Sequence, residues 1–304
     1  MIKNFVIILS LIVIVTISGC IGQTPSITGG PGIVITDASV DYSPIFAGDT
    51  VGWNLEVQNQ GEDDTLIHRI TWFGVDMSAW SLNPSGPIDI STRPNVVGAD
   101  PITGFEGGTY FETRSITAPT IIKSPTTVDL GIRIEYSYDT DFSATIRVMD
   151  PDYLRTLSAE EKNALIQSGG IRDSTSTSAP LSVKAASGAH FVARGGPARD
   201  ITIPFRITNI GPGLPYRYGV ESADDAATTG GLYEVSVAST SSNLDCGGIG
   251  NIVLSRGKNG GFGCDLTIPS TVINYEDRTF SLTLRYNYYV DGSTSLTINP
   301  EYGT

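Results

Sequence analysis

Little in this 304-residue sequence is spaced as catalytic chemistry requires. His68 and His190 are its two histidines, and a hydrolase would need one of them to meet an acid and a nucleophile. Neither lies in a recognisable motif. Gly-x-Ser-x-Gly and His-Glu-x-x-His are both absent, and Gly257-Lys258 lacks the glycine spacing and the following Ser/Thr of a phosphate loop. His68, in Leu66-Ile67-His68-Arg69-Ile70-Thr71-Trp72, shares the parity of Leu66, Ile70 and Trp72, which predicts a half-buried structural residue. His190 follows Ser187-Gly188-Ala189 and reads as a loop histidine at a strand edge. Carboxylates gather at Glu62-Asp63-Asp64 and at Asp139/Asp141, and such hard oxygen donors suit Ca²⁺. The spacing is not that of an EF-hand, so solvated turns are the plainer reading. Tyrosines 216, 218, 233, 286, 288 and 289 are concentrated in the second half, where exposed rings would stack on a sugar or anchor a partner. Most sit at core parity; Tyr289 breaks it. Trp80, in the loop-like Met77-Ser78-Ala79-Trp80, either plugs one end of a sandwich or joins Tyr289 as a binding surface. The expectation is a non-enzyme with no catalytic residue, no cofactor and no firm metal site.

The elements that must position these groups show up as an internal repeat. Val51-Gly-Trp-Asn-Leu-Glu-Val-Gln-Asn59 and Ile201-Thr-Ile-Pro-Phe-Arg-Ile-Thr-Asn209 lie 150 residues apart, as do Ile132–Tyr138 and Leu282–Tyr288. Pro119/Pro269, Asn59/Asn209, Gly61/Gly211 and Asp141/Asp291 keep the same offset. Each block alternates apolar and polar, the period of a strand with one dry and one wet face. Asp291-Gly292 reads as a hairpin turn, with Asp141 at the matching place. Pro204 cannot donate to a ladder, which predicts an edge strand or a bulge there. The repeat also tests the calcium reading. The second copy has Pro212-Gly213-Leu214 where the first has Glu62-Asp63-Asp64, so the fold needs no metal at that turn. Between the copies, Ser158 and Glu161 form a capping box that predicts a helix from Ser158 to Ser168. Asp173–Pro180 reads as an extended linker.

The N-terminus follows other rules. Lys3 precedes a 13-residue apolar run, Phe5–Ile17, interrupted only by Ser10 and Thr16 and shorter than the roughly 20 residues of a spanning helix. The run ends in Ile17-Ser18-Gly19-Cys20, which resembles the lipobox of prokaryotic lipoproteins. That resemblance implies cleavage before Cys20 and a diacylglyceryl group on its thiol. An ordinary signal peptide or an uncleaved anchor helix is the alternative, and each places the rest of the chain outside the cytoplasm. The expected address is the outer face of the cell membrane. With Cys20 assigned to lipid, Cys246 and Cys264 remain as an even pair, most simply a disulfide outside the cytoplasm. The formal net charge of −13 argues against nucleic-acid partners.

Gly48-Asp49-Thr50 leading into an alternating strand that ends Asn59-Gln60-Gly61, the second Asn209-Ile210-Gly211 and a late Tyr-rich strand are similar to the CARDB and related immunoglobulin-like modules of archaeal and bacterial surface proteins. The second copy departs at Ala198-Arg199-Asp200. The resemblance implies adhesive or spacer sandwiches and brings no catalytic residues. The expected class is all-β: two tandem immunoglobulin-like antiparallel β-sandwiches with one short linker helix. The expected layout is a signal peptide (1–19), a lipid-anchored tether (20–32), sandwich one (33–150), a helix-bearing linker (151–179) and sandwich two (180–304). The expected role is adhesion, spacing or accessory interaction, with a cell-envelope protein or glycan as partner. A glycan- or calcium-binding protein and a strand-pairing assembly subunit are the alternatives.

Overall fold

The structure, a computed structural model, describes residues 32–76, 79–83, 88–89, 95–168, 170–186, 191–192 and 199–301. The apolar leader, Cys20, the tether up to residue 31 and His190 lie outside the described residues. The first copy contributes β1 (Ile33–Val40), β2 (Ile45–Phe46), β3 (Thr50–Asn59), β4 (Ile67–Phe73), β5 (Ser81–Asn83), β6 (Ile88–Asp89), β7 (Thr109–Thr117) and β8 (Thr126–Met149). The connector holds α1 (Pro151–Thr156), α2 (Ala159–Ser168) and β9 (Ile171–Ser176). The second copy contributes β10 (Leu181–Ala185), β11 (Phe191–Val192), β12 (Arg199–Asn209), β13 (Leu214–Tyr216), α3 (Ala223–Thr229), β14 (Glu234–Ser239), β15 (Leu244–Asp245), β16 (Asn251–Val253), β17 (Asn259–Ile268) and β18 (Tyr275–Asn299).

The chain is an all-β sandwich protein, as its alternation predicts. Two four-stranded sheets, β1-β3-β7-β5 and β10-β12-β17-β15, repeat one strand order. The opposing layer is a single ten-stranded sheet with the path β16-β14-β18-β8-β4-β6. It is continuous because β8 and β18 pair antiparallel along their whole length, from Tyr275↔Met149 to Ile298↔Thr126. In that register Ser137 faces Asn287, its own equivalent 150 positions on, so the pairing is centred on a pseudo-two-fold axis. The Ser137 hydroxyl donates to Asn287 Oδ1 at 2.8 Å on that axis.

The expected turn at Asp291-Gly292 is corrected by this pairing. Both residues lie inside β18, opposite Arg133 and Ile132. Asp291 accepts two hydrogen bonds from Arg133, at 2.8 and 2.9 Å. Gly292 is there for close approach, since a Cβ would sit 2.8 Å from Ile35 Cδ1. Asp141 likewise lies mid-strand in β8. Parity explains the length: Phe142, Ala144, Ile146 and Val148 are all buried beyond the supposed turn.

The small sheets bury their alternating faces on the shared layer. Trp53 and Trp72 meet edge-on with ring centroids 4.4 Å apart. Phe142 of the first copy packs 5.8 Å from Phe205 of the second. Each fully buried large side chain of this kind contributes about 1.5–3 kcal/mol. The repeated Asn-x-Gly is a polar staple. Asn59 donates to the carbonyls of Asp63 (2.7 Å) and Val96 (2.9 Å) and accepts from Gly61 N at 3.1 Å. Asn209 does the same with Gly213, Gly257 and Gly211. The loop beyond each staple is held by a core tyrosine, Asp63 N donating to Tyr138 Oη at 3.1 Å and Gly213 N to Tyr288 Oη at 3.0 Å.

The capping box closes as expected: Ser158 N donates to Glu161 Oε2 at 2.8 Å, and Glu161 N to Ser158 Oγ at 3.2 Å, ahead of α2. A shorter helix, α1, precedes it, capped by Asp150. The stretch read as an extended linker begins instead as β9, laid along β8. Pro204 also differs from expectation. Its strand β12 is interior, between β10 and β17. Pro204 sits beside the end of the neighbouring strand: β10 ends at Ala185, and Ala186 N donates to the Pro204 carbonyl at 2.8 Å.

Candidate functional site

The inner face of the ten-stranded sheet is core, so any site on it must use the outer face. There the odd-numbered residues of β8 and β18 point away from the small sheets, and the two halves of that face differ. Near the second copy's turn the face is covered. The segment carrying β13 and α3 lies over Arg133, Glu135, Asn287 and Tyr289. Ser222 caps α3, and the Ala223 N–H donates to Glu135 Oε1 at 3.1 Å. Asn287 donates to the Val220 and Arg217 carbonyls at 2.9 and 3.4 Å. Arg133 reaches Asp224 at 3.1 Å and lies 4.4 Å over the Tyr289 ring. Glu135 is 1% exposed, and burial pushes its carboxyl pKa up.

His68 belongs to this covered half. Its Nε2 is 2.9 Å from the Tyr216 hydroxyl, whose ring lies 6.4 Å from that of Tyr289. It is half-buried, as expected, for a different reason. A register shift between Ile67 and Arg69 turns Ile67 inward and His68 outward, and leaves Leu66 exposed. Burial first, and Arg69 second, push its pKa down to about 4, so the ring is neutral at physiological pH. Tyr289 is half-buried between Tyr216 and Arg133 and presents no open ring to a ligand. Trp80 is 6% exposed and part of the core cluster, which makes it a plug rather than a binding surface.

The other half of the outer face is open. The structure brings the two acidic groups of the sequence together there. Glu62, Asp139 and Asp141 line one groove of about 800 Å³, floored by β8 and β18 and walled by Thr175–Thr177 and Thr240. Asp139 pairs with Arg285 at 3.3 Å, and Asp141 accepts from the Thr283 hydroxyl. Burial, followed by Asp141, Asp139, Glu62 and Asp64, pushes Asp63 up to about 6. Asp64 is spent on the loop, accepting from Gly98 N at 2.9 Å. Among the described residues no three of His, Cys, Asp or Glu are disposed to hold one metal ion, so the carboxylates share a groove without converging.

Sequence reasoning missed Arg133, Glu135 and Asn287 because polar residues at wet parity read as plain solvent contacts. The difference between the copies shows in the register of the structure. β4 pairs Ile70 with Ile134, whereas the strand at the equivalent place pairs Val237 with Leu284, 167 positions on from Ile70 rather than 150. The surplus is the covering segment.

Cys246 and Cys264 form the expected disulfide, with Cα atoms 4.1 Å apart, tying the loop after β15 to buried β17. The first copy has Arg114 at the place of Cys264, so the bond is peculiar to the second. Among the described residues no helix is long and apolar enough to cross a membrane. No family model matches the chain, and no curated protein does. Among solved structures, the collagen adhesin of S. aureus is similar at 10% identity over 90% of this chain and 93% of that one, with a TM-score of 0.13, too low to carry an argument.

Proposed function

We propose that this chain is a lipid-anchored, non-enzymatic protein on the outer face of the cell membrane, in which two fused sandwiches act as a stiff interaction module for adhesion, spacing or accessory binding of a cell-envelope partner. The observation that carries the reading is the disposition of the cysteines. Cys246 and Cys264 are bonded to each other, which leaves Cys20, at the end of an apolar run too short to span a bilayer, as the one remaining thiol. A disulfide suits an oxidising compartment, and the anchor suits delivery to it. Among the described residues, two polar groups that could serve an active site are engaged in the fold. His68 is neutral beneath the covering segment, and Glu135 caps a helix.

Mass spectrometry of the N-terminal peptide tests this. The expected result is a diacylglyceryl-modified Cys20, with Cys20→Ala releasing the protein from the membrane fraction. An unmodified Cys20 in native protein that needs no detergent would sink the reading. Since one lipid chain binds a membrane only marginally and two anchor stably, the two acyl chains of a diacylglyceryl group are expected to hold the protein through mild washing.

A further inference from the structure

The pseudo-two-fold axis makes the covered and open halves of the outer face directly comparable. The covered half presents Arg133, Glu135, Tyr289 and Asp291. The equivalent positions in the open half are Thr283, Arg285, Asp139 and Asp141. On the covered half the occupant is polypeptide, the chain's own segment from Arg217 to Gly231. It sits by main-chain groups, an N–H on Glu135 and carbonyls on Asn287, and by one ion pair to Arg133. The first copy has no such segment, and the groove of about 800 Å³ takes its place. The charge has changed as well. Asp291 is held by Arg133, but at Asp141 the place of that arginine is taken by Thr283, and among the described residues no cation pairs with Asp141. Glu62 lines the same groove with no cation paired to it among the described residues, and Arg285 pairs with Asp139.

We propose that this open half is a docking surface for an extended, arginine- or lysine-bearing segment of a partner protein. Its main chain lies over the hydroxyls of the groove, and its cation meets Asp141 and Glu62 as Arg133 meets Asp291. The polypeptide occupant of the equivalent half favours a peptide over a sugar, and the unmatched carboxylates favour a basic one. The proposal rests on the surface-module reading for its partner but not for its chemistry.

The test uses the full chain in detergent and a fluorescent synthetic peptide of alternating glycine and arginine, followed by anisotropy. Saturable binding that weakens with added salt is expected. Asp141→Asn with Glu62→Gln should weaken it about tenfold, while Asp265→Asn, on the far sheet, leaves it unchanged. Absence of saturable binding overturns the proposal. So does equal binding of the same peptide with citrulline for arginine, equal loss in Asp265→Asn, or displacement of the peptide by a neutral maltooligosaccharide. Circular dichroism of each variant confirms the fold. Accessibility of the anchored chain to protease added outside intact cells is scored separately. If it fails, the surface reading falls and the groove chemistry stands; if only the peptide fails, the reverse holds.

Discussion

At the residue scale, side chains that look ready for chemistry are mostly committed to holding the sheet. His68 and Asp63 show this through their protonation, and their signs are opposite. The folded state keeps His68 neutral, with a pKa near 4 against an ordinary 6.5. The unfolded chain therefore binds more protons in that window, and His68 removes stability as pH falls through it. Asp63 is pushed up to about 6 from 3.8, so here the folded state binds the extra proton, and stability is lost as pH rises through that window. Asp63→Asn is expected to raise stability at pH 7.5 by about 1 kcal/mol, discounted because the group is half-exposed, and to change nothing at pH 3.5. His68→Gln keeps a partner for Tyr216 and is expected to help at pH 5 and not at pH 7.5. Urea melts of both variants at these pH values decide it; parallel pH profiles for variant and parent would refute the assignments. A third residue shows how far the repeat is imperfect. Tyr286 bonds Thr140 at 2.8 Å, but Val290 stands at the place equivalent to Thr140 and offers the Tyr136 hydroxyl no such side-chain partner.

At the element scale, much was legible and the failures share one cause. Alternation located β3, β12 and both long strands, and Ser158 with Glu161 located α2. Asp291-Gly292 was misread because a local turn signal was weighed without the parity that runs on through Phe142, Ala144 and Ile146. Tertiary pairing decided between them: Arg133 satisfies Asp291, and Ile35 needs the space above Gly292. Pro204 was misread because an edge can be local, made where a neighbouring strand stops. The covering segment was invisible to periodicity, being short and polar, with a helix of only seven residues. The disulfide was legible from cysteine count alone, and its effect belongs to this scale. It closes the glycine-rich stretch from Cys246 to Cys264, and loop entropy assigns such a closure about 3 kcal/mol. Cys246→Ser with Cys264→Ser should lower stability by about that amount, and hydrogen exchange should quicken first in β15 and β16. Uniform quickening across both copies would show that the bond does more than hold this loop.

At the scale of the whole molecule, the pairing of β8 with β18 decides how the copies relate. Each long strand crosses the pseudo-two-fold axis and ends beneath the other copy's small sheet. Phe142 lies against Phe205, and Gly292 lies under Ile35. β2 of the first copy pairs with the far end of β18, Ile45 opposite Ile298. A copy cut free would expose Phe142, Ala144, Ile146 and Val148, or Val290, Leu296 and Ile298, together with one long unpaired strand edge. Fragments 33–150 and 180–304 are therefore expected to aggregate or lack a cooperative transition when made alone. Co-expressed, they should form a one-to-one complex that unfolds in a single transition. The measurement is a thermal melt by near-ultraviolet circular dichroism on each fragment and on the complex. A fragment 33–150 that melts cooperatively as a monomer would mean the shared sheet is an association of finished domains. The expected inseparability bears on the proposed function, because a hinge between two sandwiches would let the open groove and the first copy's N-terminal end move independently. A continuous sheet instead fixes the groove relative to β1, so a partner docked as proposed at Asp141 would be held at a set orientation to the start of the first copy.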